Sequence, residues 1–191
     1  MIIGITGGSG CGKTTLLGCI AERGGMILDC DAIYHRLLQT DKDLLLSIEN
    51  RFPGVVENGV LQRKRLGNIV FADENALSDL NAITHAAVKS EVLRQLQTAP
   101  KLAAIDAIGL FEGDLAALCN VTVAVTAPVE DRVQRLMARD GIPEEYARKR
   151  IAAQRSNVEF SAMCSHTLEN DGDIGAFRTK CLAFLAEFDI M

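Results

Sequence analysis

Residues 7–14 read Gly7-Gly8-Ser9-Gly10-Cys11-Gly12-Lys13-Thr14, with four glycines in six positions ahead of a lysine and a threonine. The spacing G-x-x-x-x-G-K-[ST] suits one kind of chemistry, the holding of a polyphosphate. Glycines without Cβ atoms let consecutive backbone N–H groups turn inward around phosphate oxygens, and the N-terminus of the following helix adds a favourable dipole. In this arrangement Lys13 reaches the β- and γ-phosphates of ATP and the Thr14 hydroxyl sits on Mg²⁺. Gly8, Ser9, Gly10, Cys11, Gly12, Lys13, Thr14 and Thr15 are therefore the candidate nucleotide-binding residues. Asp106 ends the apolar run Leu102–Ile105, the place of a magnesium-facing carboxylate in enzymes with such a loop, and joins Thr14 as a candidate metal ligand.

A second concentration of chemistry lies at 132–155. Arg132, Arg135, Arg139, Arg148, Lys149, Arg150 and Arg155 stand against Asp140, Glu144 and Glu145, seven cations to three anions, or +4 within a chain of net charge −5. Two readings compete for that cluster. It is a mobile lid whose arginines neutralise a migrating phosphoryl group, or a solvated helix pair laced by i,i+4 ion pairs.

The elements that must position these groups follow from periodicity. A β-branched strand over 1–6 feeds the loop, and apolar Leu16, Leu17, Ile20 and Ala21 repeat at helical spacing until Gly24-Gly25. Met26–Leu28 is a second strand that delivers Asp29 and Asp31. Residues 31–51 and 63–98 read as helical, split by Pro53-Gly54 and Asn58-Gly59. Strands are expected over 102–105, 121–125 and 166–168, with helices over 128–139, 143–155 and 172–188. Strands alternating with helices predict an α/β chain with a parallel, doubly wound sheet, and with the glycine loop after its first strand this is the three-layer fold expected of a P-loop NTPase.

Composition narrows the class. The 191 residues are 48% hydrophobic and 24% charged, an ordinary globular mixture, and the net charge gives no reason to expect nucleic acid. The opening residues carry no basic segment or cleavage site and no long apolar run, so a cytoplasmic protein without a membrane partner is expected. Six cysteines without a C-x-x-C pair are expected to be free thiols.

Eight segments in order make the chain resemble the dephospho-CoA kinase family over nearly its whole length. They are 5–15, Leu28-Asp29-Cys30-Asp31, Val70-Phe71-Ala72-Asp73, Ile83-Thr84-His85, Leu110-Phe111-Glu112, 135–141, 150–154 and Asn170-Asp171-Gly172-Asp173. The resemblance implies transfer of phosphate from ATP to the ribose 3′-hydroxyl of dephospho-CoA, by a monomer or weak homo-oligomer. It implies one domain with core segments 1–30, 100–130 and 160–191, substrate-side helices over about 31–99 and a lid over about 131–158. By the same resemblance Lys13, Asp31 and Arg139 are catalytic. Asp31 orients the hydroxyl and takes its proton, and Arg139 stabilises charge in the transition state. Gln154 and Asn170 fall near the adenine end of the nucleotide site; His85, Phe111 and Glu112 fall on the substrate side. Asp29 is either a helix cap or a water-mediated metal contact.

The chain departs from the family pattern at Ala86, where proline usually follows the histidine, and at Asp106-Ala107-Ile108-Gly109, which lacks a proline before Leu110. His35-Arg36 leaves the register of a third family position open. The alternatives are a kinase of the same fold acting on another nucleoside or nucleotide, and a nucleotide-binding regulatory switch. The 106–109 stretch matches the D-x-x-G of GTPase switches, but no guanine-reading N-K-x-D occurs in the chain.

Overall fold

The first strand, β1 (Ile2–Thr6), runs into the glycine loop and α1 (Lys13–Glu22), and β2 (Met26–Asp29) follows. Then come α2 (Cys30–Thr40), α3 (Lys42–Arg51), the short strands β3 (Val56–Glu57) and β4 (Val60–Leu61), α4 (Arg63–Val70) and α5 (Glu74–Leu96). The chain continues through β5 (Ala103–Asp106), a 3₁₀ turn at Ala116–Leu118, β6 (Val121–Thr126), α6 (Val129–Asp140), α7 (Glu144–Ala152), α8 (Asn157–Met163), β7 (His166–Glu169) and α9 (Ile174–Ala186). This computed structural model describes residues 1–188; the end of the expected core segment, 189–191, lies outside the described residues. The chain divides into two compact units. One holds residues 1–28, 99–110 and 115 onward, and the other holds 29–98 and 111–114.

The first unit is built on a five-stranded sheet of order β2-β5-β1-β6-β7. The pairs β1–β5, β1–β6 and β6–β7 are parallel. The chain leaves β1 for β2 at one edge of the sheet, β5 inserts between those two, and β6 and β7 extend the other side. β1 is thus the point where strand order reverses, and the loop after its carboxyl end occupies the usual crevice for ligands in such sheets. Ile3 and Ile5 of β1, with Ala104, Val123 and Val125 of its neighbours, pack against Leu16, Cys19 and Ile20 of α1 and Phe177, Cys181 and Phe184 of α9. Fully burying each isoleucine or leucine there contributes roughly 1.5–3 kcal/mol, so the strand carrying the loop is firmly anchored. All six cysteines are free thiols, as expected.

The second unit is helical apart from a hairpin, in which β3 and β4 pair antiparallel through Asn58 and Gly59, both at positive φ. The segment 31–51, read from periodicity as one helical stretch, is broken at Asp41. Asp41 ends α2 by donating its N–H to the Leu37 carbonyl, and its carboxylate caps α3 by accepting from the amides of Asp43 and Leu44 at 2.9 and 3.0 Å. Phe71 ends α4 by donating its N–H to the Gly67 carbonyl, and Asp73 caps α5, accepting from Asn75 N at 2.8 Å. One short side chain that satisfies orphan helix amides is enough to restart a helix in a new direction.

Candidate active site

The loop's shape is set by where its carbonyl oxygens go. If successive N–H groups turn inward toward an anion, the carbonyls turn outward and need donors behind the loop. Three side chains supply them. Arg132 Nε donates to Ser9 O at 2.9 Å, Arg135 Nη1 to Gly10 O at 3.3 Å, and Asn170 Nδ2 to Cys11 O at 3.0 Å. Lys13 Nζ donates to Gly7 O at 3.0 Å, so the ammonium group lies across the mouth of the loop. Two glycines are demanded by this packing. Gly12 has φ 97°, and a Cβ there would lie 2.3 Å from Asn170 Nδ2; a Cβ on Gly8 would lie 2.1 Å from Arg132 Nη2.

Arg132 is only 2% exposed. Its acceptors are the Ser9 carbonyl and Gln154 Oε1, the latter 3.1 Å from Nη2, and it makes no ion pair with a carboxylate among the described residues. Burial pushes its guanidinium below its ordinary pKa, but an arginine still holds its proton. A buried cation therefore sits directly behind the phosphate loop, balanced only by dipoles. Such a charge favours an anion in the loop. Gln154 is the second brace: Oε1 accepts from Ser9 N at 2.8 Å and Nε2 donates to Ser9 Oγ at 2.8 Å.

Cys11 turns its thiol into the core beneath the loop, where burial pushes it up despite the opposing charges of Lys13 and Arg132. It fills space there and has no thiolate to offer.

Among the described residues no group of three His, Cys, Asp or Glu side chains could hold a metal ion by itself. Magnesium does not need such a cage, because it keeps several waters and takes one or two protein oxygens beside the substrate phosphates. Thr14, exposed in the first turn of α1, and Asp106, at the end of β5 and in register with Ile5 of β1, offer the hard oxygens this calls for. The donor set fits magnesium.

Arg139 lies elsewhere. It is 58% exposed, and its Nε and Nη2 donate to the two carboxylate oxygens of its neighbour Asp140 at 2.7 and 3.0 Å. Arg150 Nη1 shares the same carboxylate at 2.8 Å. The arginines that reach the loop are Arg132 and Arg135, singled out in the sequence only as members of a cluster. The signal was present in their spacing: 132, 135 and 139 fall at i, i+3 and i+7 on one face of α6. Asn170, expected near adenine, is buried and braces the loop backbone, its Oδ1 accepting from Arg135 at 3.4 Å.

The second unit carries the other candidates. Asp29 caps α2, its Oδ1 accepting from Ala32 N at 2.9 Å. Asp31 is exposed in the first turn of α2. His85 lies on α5. Lys89, one turn later, pairs with Asp114, so the turn holding Phe111 and Glu112 is tied to the same stretch of α5. Arg36 of α2 is engaged with Glu91 at 2.9 Å.

With this geometry in hand, comparison with known proteins gives one answer. A family model described as dephospho-CoA kinase matches residues 1–176. The chain belongs to the dephospho-CoA kinase family. A dephospho-CoA kinase from Thermobifida fusca is 37% identical over 175 residues, covering 89% of this chain and 87% of the relative. One from Deinococcus radiodurans is 35% identical over 192 residues, covering 98% and 92%. A crystal structure from Thermus thermophilus superposes with a TM-score of 0.80 at 34% identity, covering 98% of this chain and 97% of the other. A shikimate kinase from Bacteroides thetaiotaomicron, at 16% identity and a TM-score of 0.58, shares the fold alone, which is that of P-loop kinases. As a dephospho-CoA kinase family member the chain is a phosphotransferase of coenzyme A biosynthesis, passing a phosphoryl group to an alcohol of dephospho-CoA, with ATP as the other substrate. Among the described residues no helix is long and apolar enough to cross a membrane.

Proposed function

We propose that the chain converts dephospho-CoA and ATP to coenzyme A and ADP through a loop that binds the ATP phosphates and a carboxylate that serves the acceptor. The observation that carries this reading is the set of outward carbonyls of Ser9, Gly10 and Cys11, each held by a donor behind the loop. The amides of the loop and the Lys13 ammonium then hold the β- and γ-phosphates, with Arg132 adding charge from behind. Thr14 and Asp106 would hold magnesium, which when bound would supply charge neutralisation to the phosphates. Asp31 accepts the proton of the ribose 3′-hydroxyl as its oxygen bonds to the γ-phosphorus. The bond from that phosphorus to the β–γ bridging oxygen breaks, ADP leaves with the electron pair, and the proton passes on to water.

Arg139 leaves Asp140 for the transferring phosphoryl group as a lid over about 131–158 closes, and Gln154 and Asn170 keep the nucleotide end of the loop in shape. His85, Phe111 and Glu112 contact the acceptor from the helices over about 31–99. Every residue invoked comes from one copy of the chain, so a monomer suffices, and the chain works in the cytoplasm.

The test is Asp31→Asn, which keeps shape and removes the base. Turnover should fall by about 10²–10⁴-fold with ATP binding unchanged. Turnover like that of the unaltered protein would remove Asp31 from this role.

A further inference from the structure

Asp140 stands where an anion gains nothing from its own helix. It is the last residue of α6, just ahead of Gly141 at φ 64°, and the carboxyl end of a helix favours cations. Two arginines compensate. Arg139 holds both oxygens, with Nε donating to Oδ1 at 2.7 Å and Nη2 to Oδ2 at 3.0 Å. Arg150 of α7 donates to Oδ2 alone, through Nη1 at 2.8 Å. One carboxylate thus serves two guanidinium groups, and Arg139 is the one with a second destination.

The frame around this carboxylate is firm. Helices α6 and α7 share a small core of Val133, Leu136, Ala147 and Ile151. At the other end of the pair, Arg148 forks onto the two oxygens of Glu130 at 2.8 and 2.6 Å. Ile151 follows Arg150 directly, so the shared core keeps Arg150 beside Asp140. Arg132 and Arg135 tie the earlier turns of α6 to the loop backbone. The Arg139 side chain, 58% exposed, can change partners without breaking any of these contacts.

We propose that Asp140 and Arg150 are a positioning pair for Arg139. Asp140 parks the guanidinium between turnovers, and Arg150 takes over the carboxylate when Arg139 leaves for the phosphoryl group. The proposal rests on the reading that Arg139 serves that group. Three features carry it. The grip on Arg139 is bidentate, a geometry that fixes the plane of the guanidinium as well as its place. Release leaves no bare anion at the helix carboxyl end, because Arg150 already bonds Oδ2. Finally, a parked Arg139 is withheld from bound ATP, which limits transfer of phosphate to water.

The test is a rapid-quench measurement of phosphoryl transfer from ATP to dephospho-CoA across a cycle of variants. Exposed ion pairs are weak, so Asp140→Asn should transfer about two- to fivefold faster, and its ADP release without acceptor should rise by the same factor. Arg150→Met leaves Arg139 as the remaining partner of Asp140, so transfer should slow about two- to fivefold, and Arg150→Lys should recover it. The double variant Asp140→Asn/Arg150→Met should match Asp140→Asn, since Arg150 acts only through the carboxylate. The Kd for ATP should be the same throughout. In an Arg139→Ala background both substitutions should be silent. If Arg150→Met costs as much in the Asp140→Asn background, Arg150 meets the substrate itself and the proposal falls. It falls too if Asp140→Asn transfers no faster. Slow transfer in Arg139→Ala beside a flat cycle would overturn the proposal alone; full-rate transfer in Arg139→Ala would strike the reading beneath it, and the proposal with it.

Discussion

Asn170 donates its side-chain amide to the Cys11 carbonyl at 3.0 Å, joining two residues 159 positions apart. The bond lies in the same layer as those from Arg132 and Arg135, and together they make the loop's inward face a consequence of what stands behind it. Bonds that fix the loop backbone reduce the conformational freedom that binding a nucleotide must otherwise remove.

Asn170→Ala leaves the Cys11 carbonyl without its donor. An unsatisfied buried acceptor costs about 1–3 kcal/mol, so thermal denaturation should show a Tm lower by several degrees. ATP affinity, measured by calorimetry, should drop about tenfold. A normal affinity at reduced Tm would mean that the bond serves stability alone.

Arg132 separates charge from shape. Arg132→Met keeps the volume and removes the cation; Arg132→Lys keeps the cation and loses the fork that reaches both Ser9 O and Gln154 Oε1. Charge behind the loop predicts that the methionine variant binds ATP about 10–100-fold more weakly, and that the lysine variant recovers part of the loss. Equal affinities for the two variants would leave the arginine a purely structural brace.

The loop itself was legible in the sequence because its glycines are there for the backbone, and backbone demands leave a spacing that survives in one chain. Its braces were not. A buried arginine such as Arg132 and a solvated one such as Arg148, which pairs with Glu130 and Glu144, are the same letter, and only tertiary placement tells them apart. The helix breaks at Asp41 and at 71–73 were hidden because a break of one to three residues hardly interrupts the periodicity. Helix α8 lay in a stretch left unassigned, although its capping box, Ser156 with Glu159, was written in the sequence. Strands of two residues, as in the hairpin at 56–61, are too short to show alternation; only the Asn58-Gly59 turn announced them.

Arg139→Ala tests the lid. Because its guanidinium rests on Asp140 and would engage phosphate only in the transition state, kcat should fall by about 10–100-fold while the Kd for ATP changes little. A change confined to KM would contradict that role.

Glu91 gives the second unit a pH signature. Its carboxylate, whose side chain is 13% exposed, accepts from Arg94, Gln95 and Arg36 and is held down to about 2 from a usual 4.5, chiefly by the bonds from Arg94. A depressed carboxylate stabilises the fold fully above its unfolded pKa and loses that contribution as pH falls through the folded value. The Tm gap between the unaltered protein and Glu91→Gln should therefore be constant above about pH 4.5 and close progressively toward pH 2. A gap that stays constant over that range would show that the ion pairs do not govern it.

The most direct test of the central claim is product analysis after incubation with ATP, magnesium and one acceptor at a time: dephospho-CoA, adenosine, AMP or shikimate. ADP release with dephospho-CoA alone, and a product with the mass of coenzyme A bearing its new phosphate on the ribose 3′-oxygen, is the predicted result. Faster turnover of any other acceptor, or a phosphate at another position, would contradict it.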